Sequence, residues 1–275
     1  MNKLKNSEKK TILYSLLEYI DSVCRKNNIP YSLIGGSLIG AIREGKIIPW
    51  DDDVDIILTK KNYDRLISVL KKNPDQRYEL LNAEINKTYS FPFAKIIDTK
   101  TFSQKEPSMK NEVSGYGVFL DIFYYANVSN SSIIRKTQFY LTKILNKACI
   151  EVDINYRNPS LTRKIVRTIK NAFRNIIGVK TIHKLLYKIP GKNHNTQYVT
   201  SCWPSYSYKQ EVQLASDINA GYMDSQFGPV KAMIFKNYDN ILKTTFGDYM
   251  TPPSADKRTS HDIDAYWKDD DEKKN

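Results

Sequence analysis

The chain has 275 residues, 41% of them hydrophobic, and its 42 Lys and Arg against 30 Asp and Glu give a formal charge of +12 and a pI near 9.3. That length and apolar content support a substantial core, while the lack of any run of about twenty apolar residues excludes a bilayer-spanning helix. The three cysteines, Cys24, Cys149 and Cys202, are odd in number, widely spaced and without a Cys-x-x-Cys pair, which argues against a disulfide framework or zinc site and for a reducing cytoplasm.

The basic N-terminus leads into Leu13, Leu16, Leu17, Ile20 and Val23 at helical spacing, the pattern of an amphipathic helix rather than a signal peptide. After Pro30, the apolar Leu33-Ile34 ends a short strand. Gly35 and Gly36 then let the backbone approach a ligand closely, and Ser37 opens the amphipathic stretch from Leu38 to Arg43. Unpaired amides and the positive end of a helix dipole collect at such a turn, so it can hold a phosphate. The Ser37 hydroxyl is placed to add a bond, and Arg43 a charge.

Beyond a turn at Gly45, Asp51-Asp52-Asp53-Val54-Asp55 precedes the apolar Ile56-Ile57-Leu58. Alternation in a strand points Asp53 and Asp55 the same way and turns Val54 into the core, with Asp51 at the entrance of that row. Crowded carboxylates raise one another's pKa, and a divalent cation relieves the repulsion; hard oxygen ligands beside phosphates suit Mg²⁺ or Mn²⁺. Taken alone, Gly-Gly-Ser reads as a loop and an acidic run as a solvated face; in succession they read as an active site.

Lys95 lies in the strand-like Phe91–Ile97 and is a further candidate for phosphate contact. In Gly117–Phe123, Val118, Leu120 and Ile122 alternate with Phe119, Asp121 and Phe123, which leaves an acid among aromatic side chains that needs a partner. Between Asp153 and Glu211 there is no acidic residue, and Ile165, Val166, Ile169, Phe173, Ile176 and Ile177 recur at helical spacing among Arg and Lys. A basic helical pair is expected there, continuing through Ile182, Leu185 and Leu186. It suits either an anionic bilayer or packing on the core with a solvated basic face. No recognised nucleic-acid motif accompanies the charge. The charged end from Lys268 is expected to be disordered.

The residues Gly35–Gly45 followed by Ile48–Asp55 resemble the signature of the LicD family of phosphocholine transferases, to which fukutin-related phosphosugar transferases are similar. Gly117–Phe123 resembles that family's second acidic strand, and Tyr238-Asp239, then Phe246–Pro253 and Lys257-Arg258, its C-terminal motif. The resemblance implies an α/β (α+β) nucleotidyltransferase-like fold, a mixed sheet flanked by helices like that of the DNA polymerase beta superfamily, with a basic helical insertion. It implies Asp53 and Asp55 as a metal pair and Asp121 as a third carboxylate that binds metal or takes the acceptor's proton. Arg258 is the basic residue best placed by the C-terminal motif. His261 shortly after it is within reach of substrate, although a surface or capping role serves equally.

The expected organisation is a catalytic core over 1–130, an insertion facing membrane or acceptor over 131–210, the rest of the catalytic unit over 211–265 and a tail over 266–275. The reaction the resemblance implies is Mg-dependent transfer of phosphocholine from CDP-choline to a hydroxyl of a cell-surface glycan precursor (teichoic acid, lipooligosaccharide or capsule type), carried on lipid, at the inner face of the membrane. Choline would meet aromatic faces, with Trp50, Tyr89, Phe91, Phe93, Tyr116, Phe119, Tyr124 and Tyr125 as candidates. The competing readings are transfer of another phospho-alditol or nucleotide on the same fold, and a non-catalytic membrane- or nucleic-acid-binding protein.

Overall fold

The computed structural model describes residues 2–86, 89–103, 117–190, 195–258 and 264–268. Helix α1 (Asn6–Lys26) starts where Glu8 Oε2 accepts the Lys5 amide at 2.8 Å, and it buries Ile12, Leu13, Leu16, Leu17, Ile20 and Cys24 at the spacing of one helix face. Strand β1 (Ser32–Leu33) runs into a short helix α2 (Gly35–Ile39), which widens into a π-helical turn over Gly40–Glu44 and ends at the left-handed Gly45. Strand β2 (Asp55–Thr59) passes directly into α3 (Lys60–Lys72), capped by the Thr59 hydroxyl.

Strands β3 (Tyr78–Leu81), β4 (Ala94–Asp98), β5 (Thr101–Ser103) and β6 (Phe119–Val128) follow. Helices α4 (Ser132–Cys149), α5 (Leu161–Ile177) and α6 (Val179–Lys188) then precede β7 (Tyr198–Ser201). The remainder comprises α7 (Tyr208–Glu211), β8 (Val212–Leu214), α8 (Ala215–Asn219), the hairpin of β9 (Tyr222–Phe227) and β10 (Val230–Phe235), α9 (Tyr238–Phe246) and β11 (Ala265–Trp267).

The main sheet has the order β1-β2-β6-β4-β3, with β7 on the far half of β6 and β8 beyond it. Only β2 and β6 run parallel among these pairs, so the sheet is mixed, as expected. Strand β6 is long enough to serve two neighbourhoods: Asp121–Tyr125 pair with β2, and Tyr125–Val128 pair with β7. One face, carrying Ile56, Leu58, Ile96, Leu120 and Ile122, packs in the core with α1 and α3. Full burial of each such side chain contributes about 1.5 to 3 kcal/mol. The other face carries Asp55, Ile57, Lys95, Phe119, Asp121 and Phe123, and is left open to a cavity.

Helices α4 and α6 share a separate small core of Leu145, Ala148, Cys149, Ile182 and Leu186. No helix among the described residues is long and apolar enough to cross a membrane. All three cysteines are buried and free. The boundary expected for the tail falls within structure: Tyr266 and Trp267 pair with Phe102 and Thr101, and the Lys268 amide donates to Lys100 O at 3.0 Å. The first residues of the expected tail thus belong to a two-stranded ladder, and the rest of it, 269–275, lies outside the described residues.

Candidate active site

The cavity above the open face of the sheet has a volume of about 790 Å³, within the range of small-molecule sites. Its floor follows from strand register. Asp55 of β2 lies opposite Asp121 of β6, and Asp121 lies opposite Lys95 of β4, so three neighbouring strands set two carboxylates and an ammonium side by side. The Lys95 ammonium lies 2.5 Å from Asp121 Oδ1, both side chains being largely buried. Lys95 is thus paired with the third carboxylate, and its ammonium sits 3.6 Å from the centroid of Phe119. This answers the need for a partner that the sequence posed at Asp121; removing either member of such a buried pair typically costs about 3 to 5 kcal/mol.

Asp55 is half-buried at the cavity floor. Desolvation first, and then the negative charges of Asp53, Asp121 and Asp51, hold its carboxyl well above the usual carboxylate range, with Lys95 opposing them. Asp51, Asp52 and Asp53 all line the cavity. Helix α1 steadies this loop: Lys9 pairs with Asp52 at 2.7 Å, and Lys10 donates to the carbonyls of Ile48 and Pro49 at 3.1 and 3.0 Å. The part played by α1 was not legible from the basic N-terminus, where lysines have no local pattern that names a distant partner.

The glycine turn fits closely against the acidic loop. Gly35 adopts a left-handed φ of +60°, and a Cβ on Gly36 would meet Oδ2 of Asp51, so glycine at 36 leaves the Asp51 carboxylate where it stands against the turn. Both glycines line the cavity. Ser37 does not: it is buried, and its hydroxyl accepts the Asp55 amide at 3.0 Å. One helical step beyond the glycines turns the Ser37 side chain under the turn onto β2. Ser37 sets the height of the carboxylate.

Arg43 lines the cavity, with Nε on Glu44 at 2.9 Å and Nη1 donating to Tyr249 O at 3.0 Å. Its guanidinium lies 5.9 Å from the Trp50 ring, and that of Arg258 lies 4.4 Å from the same ring. Arg258 is exposed at the rim and donates from Nε to Pro253 O, whereas His261 lies outside the described residues. Asp248, Tyr249, Thr251 and Pro253 of the C-terminal motif also border the cavity.

The aromatic wall differs in part from expectation. Trp50, Phe91, Phe93, Phe119 and Tyr125 face the cavity, Tyr89 and Tyr124 do not border it, and Tyr116 lies outside the described residues. Phe123 and Trp203 join them: Trp203 packs edge-on to both Phe91 and Phe93 at 5.5 Å, and Phe93 meets Phe123 at 4.4 Å. With Ser201, Ser205 and Tyr206, Trp203 brings part of the 131–210 stretch into the wall. The run Trp203-Pro204-Ser205-Tyr206 was the available signal, an aromatic, helix-breaking segment directly after the basic helices.

Among the described residues, no three Asp, Glu, His or Cys side chains already form a metal-holding group. The donors nevertheless suit a hard cation, since Mg²⁺ is ordinarily held by one or two carboxylates together with phosphates and water. The charge crowding at Asp55 is the physical reason that one would be welcome there.

The glycine turn, the carboxylates of β2 and β6 and the aromatic-walled cavity suit an enzyme of the nucleotidyltransferase type. The LicD/FKTN/FKRP nucleotidyltransferase domain matches residues 28–146, which hold the turn, the acidic loop and all three strands of the floor. Over this stretch the chain is similar to the LicD family. It is 28% identical over 277 residues to the lipopolysaccharide cholinephosphotransferase LicD of Haemophilus influenzae, covering 97% of this chain and 99% of that protein. It is also 30% identical over 122 residues to an uncharacterized protein of Rickettsia typhi, covering 44% of this chain and 38% of that one. A third similarity, 44% over 57 residues, is to an uncharacterized protein of Rickettsia prowazekii, covering 20% and 21% of the two chains.

Proposed function

We propose that the protein transfers phosphocholine from CDP-choline to a hydroxyl of a cell-surface glycan precursor of teichoic acid, lipooligosaccharide or capsule type. The observation that carries this reading is the Asp55–Asp121–Lys95 row beneath an aromatic-walled cavity. The Haemophilus relative is named for the same transfer to lipopolysaccharide. Choline presents a quaternary ammonium without an N–H, which aromatic faces recognise. Phe91, Phe93, Phe123 and Trp203 supply such faces within reach of the floor.

The Gly35 and Gly36 backbone would take the donor's diphosphate, with positive charge from Arg43 and from Arg258 over Trp50. Asp53 and Asp55 would hold Mg²⁺ or Mn²⁺, which supplies neutralisation of charge on the diphosphate and on departing CMP. In the transfer, the acceptor oxygen forms a bond to the choline-bearing phosphorus as the bond from that phosphorus to the CMP oxygen breaks. CMP leaves with the electron pair, and the hydroxyl proton passes to Asp121, held in position by Lys95. Catalysis is then mainly placement and electrostatics. Residues 1–130 and 211–265 are read as the catalytic unit, to which 131–210 contributes Trp203 and Tyr206. A cytoplasmic location accords with three free, buried cysteines.

Calorimetric titration of CDP-choline with and without Mg²⁺, against CDP-ethanolamine, CDP-ribitol and CTP, tests the reading. Metal-dependent binding that favours CDP-choline is expected, with the preference over CTP reduced about tenfold by Trp203→Leu, the scale of a cation–π contact of 1 to 2 kcal/mol. Preference for another nucleotide would assign a different donor to this fold. Binding of none of them would leave a non-catalytic protein.

A further inference from the structure

Helix α5 is inside out. Its 17 residues span about 25 Å at 1.5 Å per residue, and Leu161, Ile165, Val166, Ile169, Phe173 and Ile176 fall within one arc of its circumference. All six are exposed, from 41% at Phe173 to 82% at Ile176. An amphipathic helix on a globular protein ordinarily buries that stripe.

The polar face of α5 is the one that grips the protein. Arg167 Nη1 donates to the carbonyls of Asp153, Ile154 and Tyr156 at 3.1, 3.2 and 3.0 Å. The buried Asn171 exchanges two hydrogen bonds with the backbone of Val152, and Arg174 donates to Cys149 O at 2.9 Å while reaching Glu151. These bonds hold the loop between α4 and α5 and fix the rotation of the helix. The apolar stripe therefore faces outward by construction, and it is too long to count as scattered surface residues.

The charge around it selects the occupant. From Ile122 to Gln210 the sequence has fifteen Lys and Arg against only Glu151 and Asp153, so this stretch accounts for the entire net charge of +12 and leaves the rest of the chain close to neutral. Arg163 on α5 and Lys180, Lys184 and Lys188 on α6 are exposed. A second copy laid on the same face would bring like charge against like charge. An anionic bilayer takes both features at once, apolar side chains into the acyl boundary and lysines and arginines onto the headgroups.

We infer that α5 is an interfacial membrane anchor that lays its Leu161–Ile176 stripe on an anionic phospholipid surface. This goes beyond the proposed transfer and does not depend on which donor the cavity accepts. The anchor requires no rearrangement, because the stripe is already outward and the bonds that orient it are on the opposite side.

The test is co-sedimentation of the full chain with phosphatidylcholine vesicles and with phosphatidylcholine–phosphatidylglycerol vesicles, at low and high salt. Wild type is expected to bind the anionic vesicles at least about tenfold more tightly than the neutral ones, and to weaken as salt screens the charge. The variant Ile165→Ser/Ile169→Ser/Phe173→Ser is expected to lose binding about tenfold or more while keeping the wild-type melting temperature and CDP-choline titration. Lys180→Glu/Lys184→Glu, on a different helix, is expected to weaken anionic binding alone. Absence of wild-type binding to anionic vesicles overturns the inference, as does a serine variant that melts like wild type and still binds. Concentration-dependent dimerisation in sedimentation velocity, lost in the serine variant without any vesicle binding, would give the face to a second copy instead.

Discussion

The floor of the cavity and helix α5 handle charge in opposite senses. On β2 and β6 the apolar side of each strand is buried and the acidic side faces a cavity, so the pattern obeys the usual alternation and the carboxylates are concentrated where a ligand can reach them. On α5 the charged side is turned inward, onto backbone carbonyls, and the apolar side is left outside. The comparison teaches that amphipathic pattern fixes which residues share a face, whereas the neighbouring backbone decides which face turns in. The carbonyls at the C-terminal end of α4 and in the loop after it are acceptors that Arg167, Asn171 and Arg174 satisfy, and these bonds set the rotation of α5 against the pull of its apolar stripe.

The largest expected effect breaks the acidic side of this comparison. Asp55→Asn should abolish transfer, by about 10³-fold or more on the scale of losing one electrostatic catalytic group, yet raise the melting temperature near neutral pH. The sign follows from linkage. Asp55 has its folded pKa raised by burial and by Asp53, Asp121 and Asp51, so the folded state holds a proton more tightly than the unfolded one. Stability is fully present below the unfolded value near 4 and falls as pH rises through the folded pKa. Thermal melts across pH should show that fall in wild type and a flatter profile in Asp55→Asn. Equal slopes would mean that repulsion at Asp55 is not felt by the fold.

Gly36→Ala should come next. Its Cβ meets Oδ2 of Asp51, so the Asp51 carboxylate must swing away from the turn, and misplacement of a group by about 1 Å can cost roughly 10²-fold in rate. Steady-state kinetics should show this loss in kcat with little change in the melting temperature. A fully active Gly36→Ala enzyme would show that the contact between the two loops is dispensable.

The smallest effect sharpens the other side. Lys170, half-sunk on the inner face of α5, has its pKa pulled down to about 8, by burial first and then by Arg174, Lys147 and Arg167. Its unfolded value is near 10.5, so the unfolded state binds the proton more tightly and stability should rise as pH climbs from about 8 towards 10.5. Lys170→Met should melt slightly higher below pH 8 and lose that rise. Melting curves that coincide at every pH would show that the inner face of α5 tolerates the charge without cost.

The parts of the cavity floor that were legible in the sequence are those governed by short-range geometry. Asp55, Asp121 and the glycine turn could be placed there because strand pattern and glycine chemistry act within a few residues, whereas Asp53 precedes β2 and strand alternation does not orient it. Their companions across the fold could not. Trp203 reaches Phe91 and Phe93 from more than a hundred residues away, Lys9 finds Asp52 from another helix, and Lys95 is claimed by Asp121 through a strand pairing that no spacing announces.

The sequence by itself determined the signature turn, the carboxylates, the basic helical pair and the likeness to the LicD family, because each is encoded by residues close together along the chain. Only the tertiary structure decided that Ser37 serves the Asp55 amide, that the cavity borrows its wall from the stretch after the helices, and that α5 shows its apolar side outward. Those outcomes depend on which backbone groups are left in need of a partner once the sheet has formed, and that is settled by the packing of distant segments.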